Sequence, residues 1–256
     1  MTASFDLAFP RFIAFGAGSL SRLAEIAAPF PSPALLVVGG GSLERSGARA
    51  EIIGLLKKAG KDAVVFSGVE PDPSIQTVDR GTALCRERGC RLVVGAGGGS
   101  VLDCAKAIAA MAPAGESVRD YLDGKKEIDR PGLPCLAVPT TAGTGAEATR
   151  NAVLTDREKR RKRSIRHRFL VPAAAIVDPD LTLGLPPALT AAGGMDALAQ
   201  LIEPFVSLRA NPIVDALCLR GMEAAGRGIA RAVRDGKDRE ARAAMSLASL
   251  LSGMAL

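Results

Sequence analysis

The sequence has few aromatic residues and almost no histidine. Its 256 residues include no Trp, one Tyr and one His, and aromatic residues make up only 4% of the chain. This composition argues against a β-sandwich built on an aromatic core. With 28 glycines and 48% hydrophobic residues, it favours an α/β fold whose strands end in glycine-rich turns.

Signals for export, membrane insertion or disulfide bonding are also lacking. The first residues, MTASFDLAFPRF, show no basic segment followed by an apolar one, so no signal peptide is predicted. No apolar run reaches the roughly 18 residues of a membrane span. The five cysteines include no Cys-x-x-Cys pair, which predicts neither a disulfide framework nor structural zinc and favours a cytoplasmic location.

Positive charge is concentrated in one segment. The net charge is +6, and residues 157–168, REKRRKRSIRHR, hold eight Lys or Arg in twelve positions. Aromatic residues that could stack on bases are absent there, and Phe169 follows directly. The segment therefore predicts a solvated hairpin, and no nucleic-acid partner is expected.

Short β-type runs alternate with helical patterns through the first 180 residues. The alternation predicts parallel strands joined by right-handed helical crossovers. The predicted strands are 34–41, 62–68, 91–100 and 134–141, and the predicted helices are 45–59, 74–89 and 101–112.

The pattern becomes entirely helical after residues 173–187, where Pro186 and Pro187 suit a helix start. We therefore predict an α/β domain at 1–184 and an all-helical domain at 185–256. The last helix, 239–256, is apolar around most of its final two turns, as in a helix buried on all sides. We expect the helical domain to be incomplete in this sequence.

Two glycine-rich loops follow predicted strands. In GAGGGSVLDCAKA (95–107) a strand runs through glycines into a helix, which presents backbone N–H groups to an anion. PTTAGTGAEAT (139–149) follows another strand and offers threonine hydroxyls. Either loop alone suits a tight turn without ligand, but two at adjacent strand ends favour phosphate binding.

A third segment, GGMDALAQLIE (193–203), places polar side chains on one helix face. Asp196 and Gln200 lie four residues apart, and Glu203 follows one turn later. Two oxygen-bearing side chains facing a cleft could begin a metal site. From these residues alone, the favoured interpretation is polar residues facing solvent, or an Asp near a helix start broken by glycines.

These segments together resemble the iron-containing alcohol dehydrogenase family, also called group III. The matching segments span nearly the whole chain: FGAGSL (15–20), GGGSVLDCAK (97–106), PTTAGTGAEAT (139–149), IVDPDLT (176–182) and GMDALAQLIEPFVS (194–207). The resemblance implies an N-terminal dinucleotide-binding α/β domain, a C-terminal helical domain and a divalent metal between them. It also implies a small alcohol or aldehyde substrate and a possible homodimer.

Site residues follow from the resemblance position by position. The implied pyrophosphate loop and its anchoring helix comprise Gly98, Gly99, Ser100 and Asp103, and the implied second nucleotide loop comprises Thr140, Thr141 and Thr144. Lys162 falls where the family has a cofactor-contacting lysine. Leu181 falls beside the nicotinamide ribose or adenine, and Asp196 falls at the first metal ligand.

The first departure from the family pattern concerns the choice between NAD and NADP. Gly39 stands where many NAD-preferring members carry an Asp that binds the ribose 2′-hydroxyl. Without that carboxylate a 2′-phosphate is not repelled, and Ser42 or Arg45 could bind it. We therefore expect a slight preference for NADP over NAD.

The second departure concerns the metal, expected to be Fe²⁺ or Zn²⁺. Gln200 replaces the usual His, and an amide oxygen is a weaker ligand than imidazole. The family's two other His ligands lie beyond this sequence, and the lone His167 is remote from the metal helix in the matched pattern. An incomplete metal site is expected.

Three functions are compatible with these features. The first is a metal-dependent, NAD(P)-linked alcohol dehydrogenase or aldehyde reductase. The second is a non-catalytic NADP(H)-binding remnant, which the missing His ligands favour. The third is a metal-independent enzyme resembling maleylacetate reductase, against which Asp196 in its helix argues mildly.

Overall fold

The computed structural model describes residues 4–256. Its strands are β1 (Phe12–Phe15), β2 (Ala34–Gly39), β3 (Ala63–Val69), β4 (Leu92–Gly97), β5 (Cys135–Pro139), β6 (Asn151–Asp156), β7 (Arg161–Arg166) and β8 (Ala174–Val177). Its helices are α1 (Leu23–Ala27), α2 (Ser42–Arg45), α3 (Ala48–Lys58), α4 (Ile75–Glu87), α5 (Gly99–Met111), α6 (Val118–Leu122), α7 (Pro187–Phe205), α8 (Pro212–Arg234) and α9 (Arg239–Ala255). Short 3₁₀ helices span Ser19–Arg22, Arg168–Leu170 and Pro179–Thr182.

A parallel sheet organises the first two thirds of the chain. Its strand order is β1-β8-β5-β4-β2-β3. The chain passes from β2 to β3 on one side and returns to β4 on the other, so the topological switch point lies between β2 and β4. Ligands of such sheets bind outside the carboxyl ends of the strands at this point. The predicted α/β fold with a parallel sheet is confirmed.

Helices cover both faces of the sheet. Leu35 and Val37 of β2 face a core shared with α4 and α5, whereas Leu36 and Val38 face a core shared with α1 and α3. Because both faces are buried, the central strands are continuously apolar instead of alternating. This arrangement fixes the strand ends from which the glycine-rich and threonine-rich loops begin.

Several boundaries differ from the sequence-based expectation. Three of the four predicted strands ran two or three residues too far, because the glycines and threonines that follow them have already turned away from the sheet. The fourth, 62–68, differs from β3 by one residue at each end. The predicted helix at 45–59 is α3, which begins three residues later than expected because Gly47, its N-cap, adopts a left-handed φ of 78°. The short helix α2 before it was not predicted. The short strands β1 and β8, which pair with each other, were not predicted.

The basic segment forms the predicted hairpin. Strands β6 and β7 pair antiparallel, with Asn151 opposite Arg166 and Asp156 opposite Arg161. One face is apolar and packs toward α5, whereas most of the basic side chains are exposed. Asp123 binds Lys159 at 2.7 Å and also pairs with Arg161, so part of the positive charge is neutralised within the protein.

The last third of the described chain consists of helices. Helix α7 begins at the two predicted prolines, with Pro186 as N-cap and Pro187 in the first turn. Helices α7, α8 and α9 share one apolar cluster, and Ser249 to Gly253 of α9 are all buried. The division into domains at 184/185 stays a prediction. Within residues 4–256, no helix is both long and apolar enough to cross a membrane.

Candidate nucleotide and metal site

The glycine-rich loop at the end of β4, residues 97–100 and here called the glycine loop, leaves little space for side chains. Gly97 has a φ of 156°, and a Cβ there would lie 2.7 Å from Cγ2 of Val101. Helix α5 begins at Gly99, and the amides of Val101 and Leu102 donate to the carbonyl of the N-cap Gly98. The amides of Gly99 and Ser100 precede these bonds and have no partner within the helix. The loop therefore exposes backbone donors and the positive end of a 13-residue helix at the carboxyl end of β4.

The threonine loop after β5, residues 139–149, lies directly against the glycine loop. The amide of Thr140 donates to the carbonyl of Gly97 at 3.0 Å. A Cβ at Gly98 would lie 3.2 Å from Cγ2 of Thr141, and one at Gly99 would lie 2.5 Å from Oγ1 of Thr144. The two predicted loops thus form one continuous surface at adjacent strand ends.

The end of β2 borders this surface. Val38 pairs with Ala96, which places Gly39 beside the start of the glycine loop. A Cβ at Gly39 would lie 3.3 Å from Cγ2 of Val101. Ser42 and Arg45 are exposed just beyond, and Arg45 forms no ion pair within residues 4–256.

The hairpin reaches the glycine loop through Asp72, a residue that was not predicted. The amide of Asp72 donates to Oγ of Ser100 at 3.1 Å, and Lys162 donates to its carboxylate at 2.6 Å. Asp72 therefore links Lys162 to Ser100 at the glycine loop. Leu181 instead lies in the segment after β8, against the apolar cluster that contains α1 and α3.

Asp103 is engaged inside the protein. One carboxylate oxygen accepts from the amide of Val153 at 3.0 Å, and the other lies 2.9 Å from the ammonium of Lys106. In this arrangement Asp103 connects α5 to the hairpin instead of facing the glycine loop.

Helices α7 and α9 hold the threonine loop from the opposite side. A Cβ at Gly143 would lie 2.8 Å from Cα of Gly193, so α7 approaches the loop closely. Oγ of the buried Ser249 accepts from the amides of Gly143 at 2.8 Å and Gly145 at 3.2 Å. Sequence reasoning missed Ser249, because it is one of three serines spaced three residues apart in α9 and nothing in the sequence distinguishes it from Ser246 and Ser252.

Burial changes the ionisation of two groups near the loops. Glu147, within the threonine loop, is only 2% exposed, and burial raises its pKa to about 7. Burial also raises the pKa of the Cys104 thiol on α5. Cys104 is therefore a protonated core residue and not a nucleophile.

The predicted metal residues lie on α7, the helix that approaches the threonine loop at Gly193. Asp196 follows Gly193 by three residues and is exposed, and Gln200 is half-buried one turn later. Within residues 4–256, the side-chain oxygen of Gln200 is buried and has no hydrogen-bond partner, which suits an oxygen ligand of a divalent cation. Within residues 4–256, no cluster of three His, Cys, Asp or Glu could hold a metal, so these residues provide only part of a site.

The doubly wound sheet, with the glycine loop at its switch point and the threonine loop beside it, defines an α/β protein of the architecture that binds nucleotides, followed by helices. Comparison with known families identifies it further. The profile described as "Iron-containing alcohol dehydrogenase" matches residues 10–179, and that described as "Fe-containing alcohol dehydrogenase family, C-terminal" matches residues 190–256. The chain belongs to the iron-containing alcohol dehydrogenase family.

Curated relatives have several dehydrogenase names. The chain is 37% identical over 246 residues to "Alcohol dehydrogenase 4" of Schizosaccharomyces pombe, covering 96% of this chain and 58% of the relative. It is 40% identical over 248 residues to "Choline dehydrogenase" of Bacillus subtilis, covering 96% of this chain and 61% of the relative. The chain thus spans about three fifths of the length of these relatives.

Solved structures show the same fold. "1,3-propanediol oxidoreductase" superposes with a TM-score of 0.93 at 38% identity, covering 99% of this chain and 66% of that one. Sulfoacetaldehyde reductase from Bifidobacterium kashiwanohense, solved in complex with NAD⁺, has a TM-score of 0.93 at 34% identity, covering 99% of this chain and 67% of that one.

Proposed function

We propose that this chain carries the nucleotide-binding region and part of the metal-binding region of an NAD(P)-linked alcohol dehydrogenase or aldehyde reductase. The observation that carries the proposal is the continuous surface formed by the glycine and threonine loops at the switch point. Relatives named for alcohol, propanediol and sulfoacetaldehyde conversion support a small alcohol or carbonyl substrate.

In the proposed reaction the protein positions the cofactor for hydride transfer. The amides of Gly98, Gly99 and Ser100 bind the pyrophosphate, with the hydroxyls of the threonine loop opposite them. With the nicotinamide held against the carbonyl carbon, hydride transfer needs no further encounter between cofactor and substrate and becomes effectively unimolecular.

The metal region is proposed on narrower grounds. Asp196 and Gln200 would contribute two oxygen ligands to a divalent ion, Fe²⁺ or Zn²⁺. The remaining ligands would have to come from groups other than these two side chains. Such an ion, when bound, polarises the carbonyl oxygen as a Lewis acid. Two observations support metal binding over the metal-independent alternative. Position 196 carries a carboxylate, and the amide oxygen of Gln200 is buried with no partner within residues 4–256.

We further propose that the protein prefers NADP, is located in the cytoplasm and forms a homodimer. The absence of a carboxylate at Gly39 and the free guanidinium of Arg45 support binding of a 2′-phosphate. Five free cysteines suit a reducing compartment. The exposed Phe12 and Phe15 of the edge strand β1 suit pairing with a second copy.

Oxidation of NADPH and NADH by small aldehydes tests the proposed function. We expect turnover that requires added Fe²⁺ or Zn²⁺ and is abolished by a chelator. Asp196→Asn should lower metal-dependent turnover at least tenfold, because it removes the charged ligand (about 1.4 kcal/mol per tenfold). Glu240→Gln, at the exposed start of α9, removes a carboxylate outside the metal helix and is the matched control, so it should leave turnover unchanged.

The other outcomes distinguish the alternatives. Turnover that is insensitive to chelator would contradict the metal assignment and favour an enzyme resembling maleylacetate reductase. NADPH binding without any turnover would contradict the catalytic proposal and favour a nucleotide-binding remnant.

A further inference from the structure

Lys106 of α5 is completely buried, although it is a lysine. Its side chain is 0% exposed, and it follows Gly99 by two helical turns on the helix that carries the glycine loop. A buried ammonium is retained only where charged or polar partners replace its lost hydration. The identity of those partners indicates what the residue does.

The ammonium of Lys106 binds two segments besides its own helix. It donates to the carbonyl of Ala146 and to Oγ1 of Thr149, both at 2.9 Å, and these residues belong to the threonine loop. It also donates to the carbonyl of Asn151, the first residue of β6. The threonine loop and the hairpin are therefore both fixed to α5 at one atom.

Asp103, one helical turn before Lys106, also joins α5 to the hairpin. Its carboxylate lies 2.9 Å from the ammonium of Lys106 and accepts from the amide of Val153 in β6. Two charged side chains of α5 thus bind the start of the hairpin, whose second strand carries Lys162. Neither side chain contacts the glycine loop itself.

We propose that Lys106, together with Asp103, is a positioning residue of the nucleotide site: its ammonium sets the threonine loop and the hairpin relative to the glycine loop. The proposal rests on the proposed nucleotide-binding function. The three connected segments, α5, the threonine loop and the hairpin, are the ones that hold Ser100, Thr144 and Lys162. An error in their relative placement would change nucleotide affinity even where the fold is intact.

Lys106→Met keeps the length of the side chain and removes its ammonium. We expect the Kd for NADPH to rise at least tenfold, and amide hydrogen exchange in residues 144–153 to accelerate. Ile108→Ala is the matched control, because Ile108 is fully buried on the same helix and contacts α4 rather than the loops. It should lower the melting temperature as much or more, yet leave the Kd within about twofold and the exchange of residues 144–153 unchanged.

A second variant separates positioning from stability. Adding Asp103→Asn to Lys106→Met removes the carboxylate that lost its partner, so the melting temperature should recover while the Kd stays raised. If the Kd instead recovered with the melting temperature, Lys106 would have only a stabilising role and the proposal would be wrong. Should Lys106→Met fail to fold, Asp103→Asn alone is measured in the same way, with accelerated exchange in 144–153 expected and unchanged exchange contradicting the proposal.

Failure of the proposed function would give a different result. If the unaltered protein did not bind NADPH, nucleotide binding would be excluded whatever Lys106 does. Hydrogen exchange would still show whether the loop and hairpin are held by Lys106, since that measurement needs no ligand.

Discussion

Gly39 is the residue at which the proposed cofactor preference is decided. It ends β2 beside the glycine loop, and in the proposed binding mode a side chain there would face the ribose of the nucleotide. A carboxylate at such a position accepts from the 2′-hydroxyl of NAD and repels the 2′-phosphate of NADP. The nearest obstacle to a Cβ is Cγ2 of Val101 at 3.3 Å, so a side chain requires only a small shift.

Gly39→Asp should therefore move the ratio of NADPH to NADH affinity at least tenfold toward NADH, about 1.4 kcal/mol. Gly39→Asn, which has the same size without the charge, should keep the preference of the unaltered protein. Both are measured by titration of each nucleotide. An unchanged ratio in Gly39→Asp would show that this position does not face the ribose.

The residues that sequence reasoning missed are those whose partners lie far away along the chain. Lys106 was visible as a single lysine in an apolar helix, but its partners are 40 to 45 residues distant. Ser249 lies more than 100 residues from the glycines that it binds. Local patterns show which residues can bind an anion, whereas only the fold shows which side chains hold the loops.

Among the elements, the central strands were predictable because burial on both faces makes them continuously apolar. Strands β1 and β8 were not, since each has only four residues and gains its regular structure from pairing with distant strands, β1 with β8 and β8 also with β5. The hairpin β6–β7 was indicated by charge, which marks its exposed side chains. Its attachment to α5 depends on tertiary contacts that no local pattern contains.

Contact between α9 and the threonine loop depends on two glycines. A Cβ at Gly253 would lie 2.0 Å from the carbonyl oxygen of Gly145, which itself has a left-handed φ of 58°. Helix α9 can therefore approach the loop only while position 253 has no side chain.

Gly253→Ala should force α9 away from the loop. We expect a loss of about 1–3 kcal/mol in the free energy of unfolding, as for other overpacked sites. Thermal unfolding measures this loss. Gly226→Ala in α8 is the control, because a Cβ there meets nothing within 4 Å and should stabilise the helix by roughly 0.5–1 kcal/mol. Equal stability of the two variants would contradict the close packing of α9.

For the whole molecule, the nucleotide surface is the most complete part of the proposed enzyme. Glycine loop, threonine loop and hairpin are all present and joined by Lys106, Asp103 and Asp72. Within residues 4–256, the proposed metal region is limited to Asp196 and Gln200. The chain spans 58% to 65% of curated relatives such as "Alcohol dehydrogenase 4" of Schizosaccharomyces pombe and "1,3-propanediol dehydrogenase" of Klebsiella pneumoniae. The central claim is therefore that a nicotinamide nucleotide binds at the switch point between β2 and β4.

Titration of NADPH against the unaltered protein, Gly99→Ala and Gly54→Ala tests this claim most directly. A Cβ at Gly99 would lie 2.5 Å from Oγ1 of Thr144, whereas one at Gly54 in α3 meets nothing within 4 Å. We predict that Gly99→Ala weakens binding at least tenfold, about 1.4 kcal/mol, and that Gly54→Ala binds as tightly as the unaltered protein. Equal affinity in all three proteins would contradict the account, because the nucleotide would then bind elsewhere.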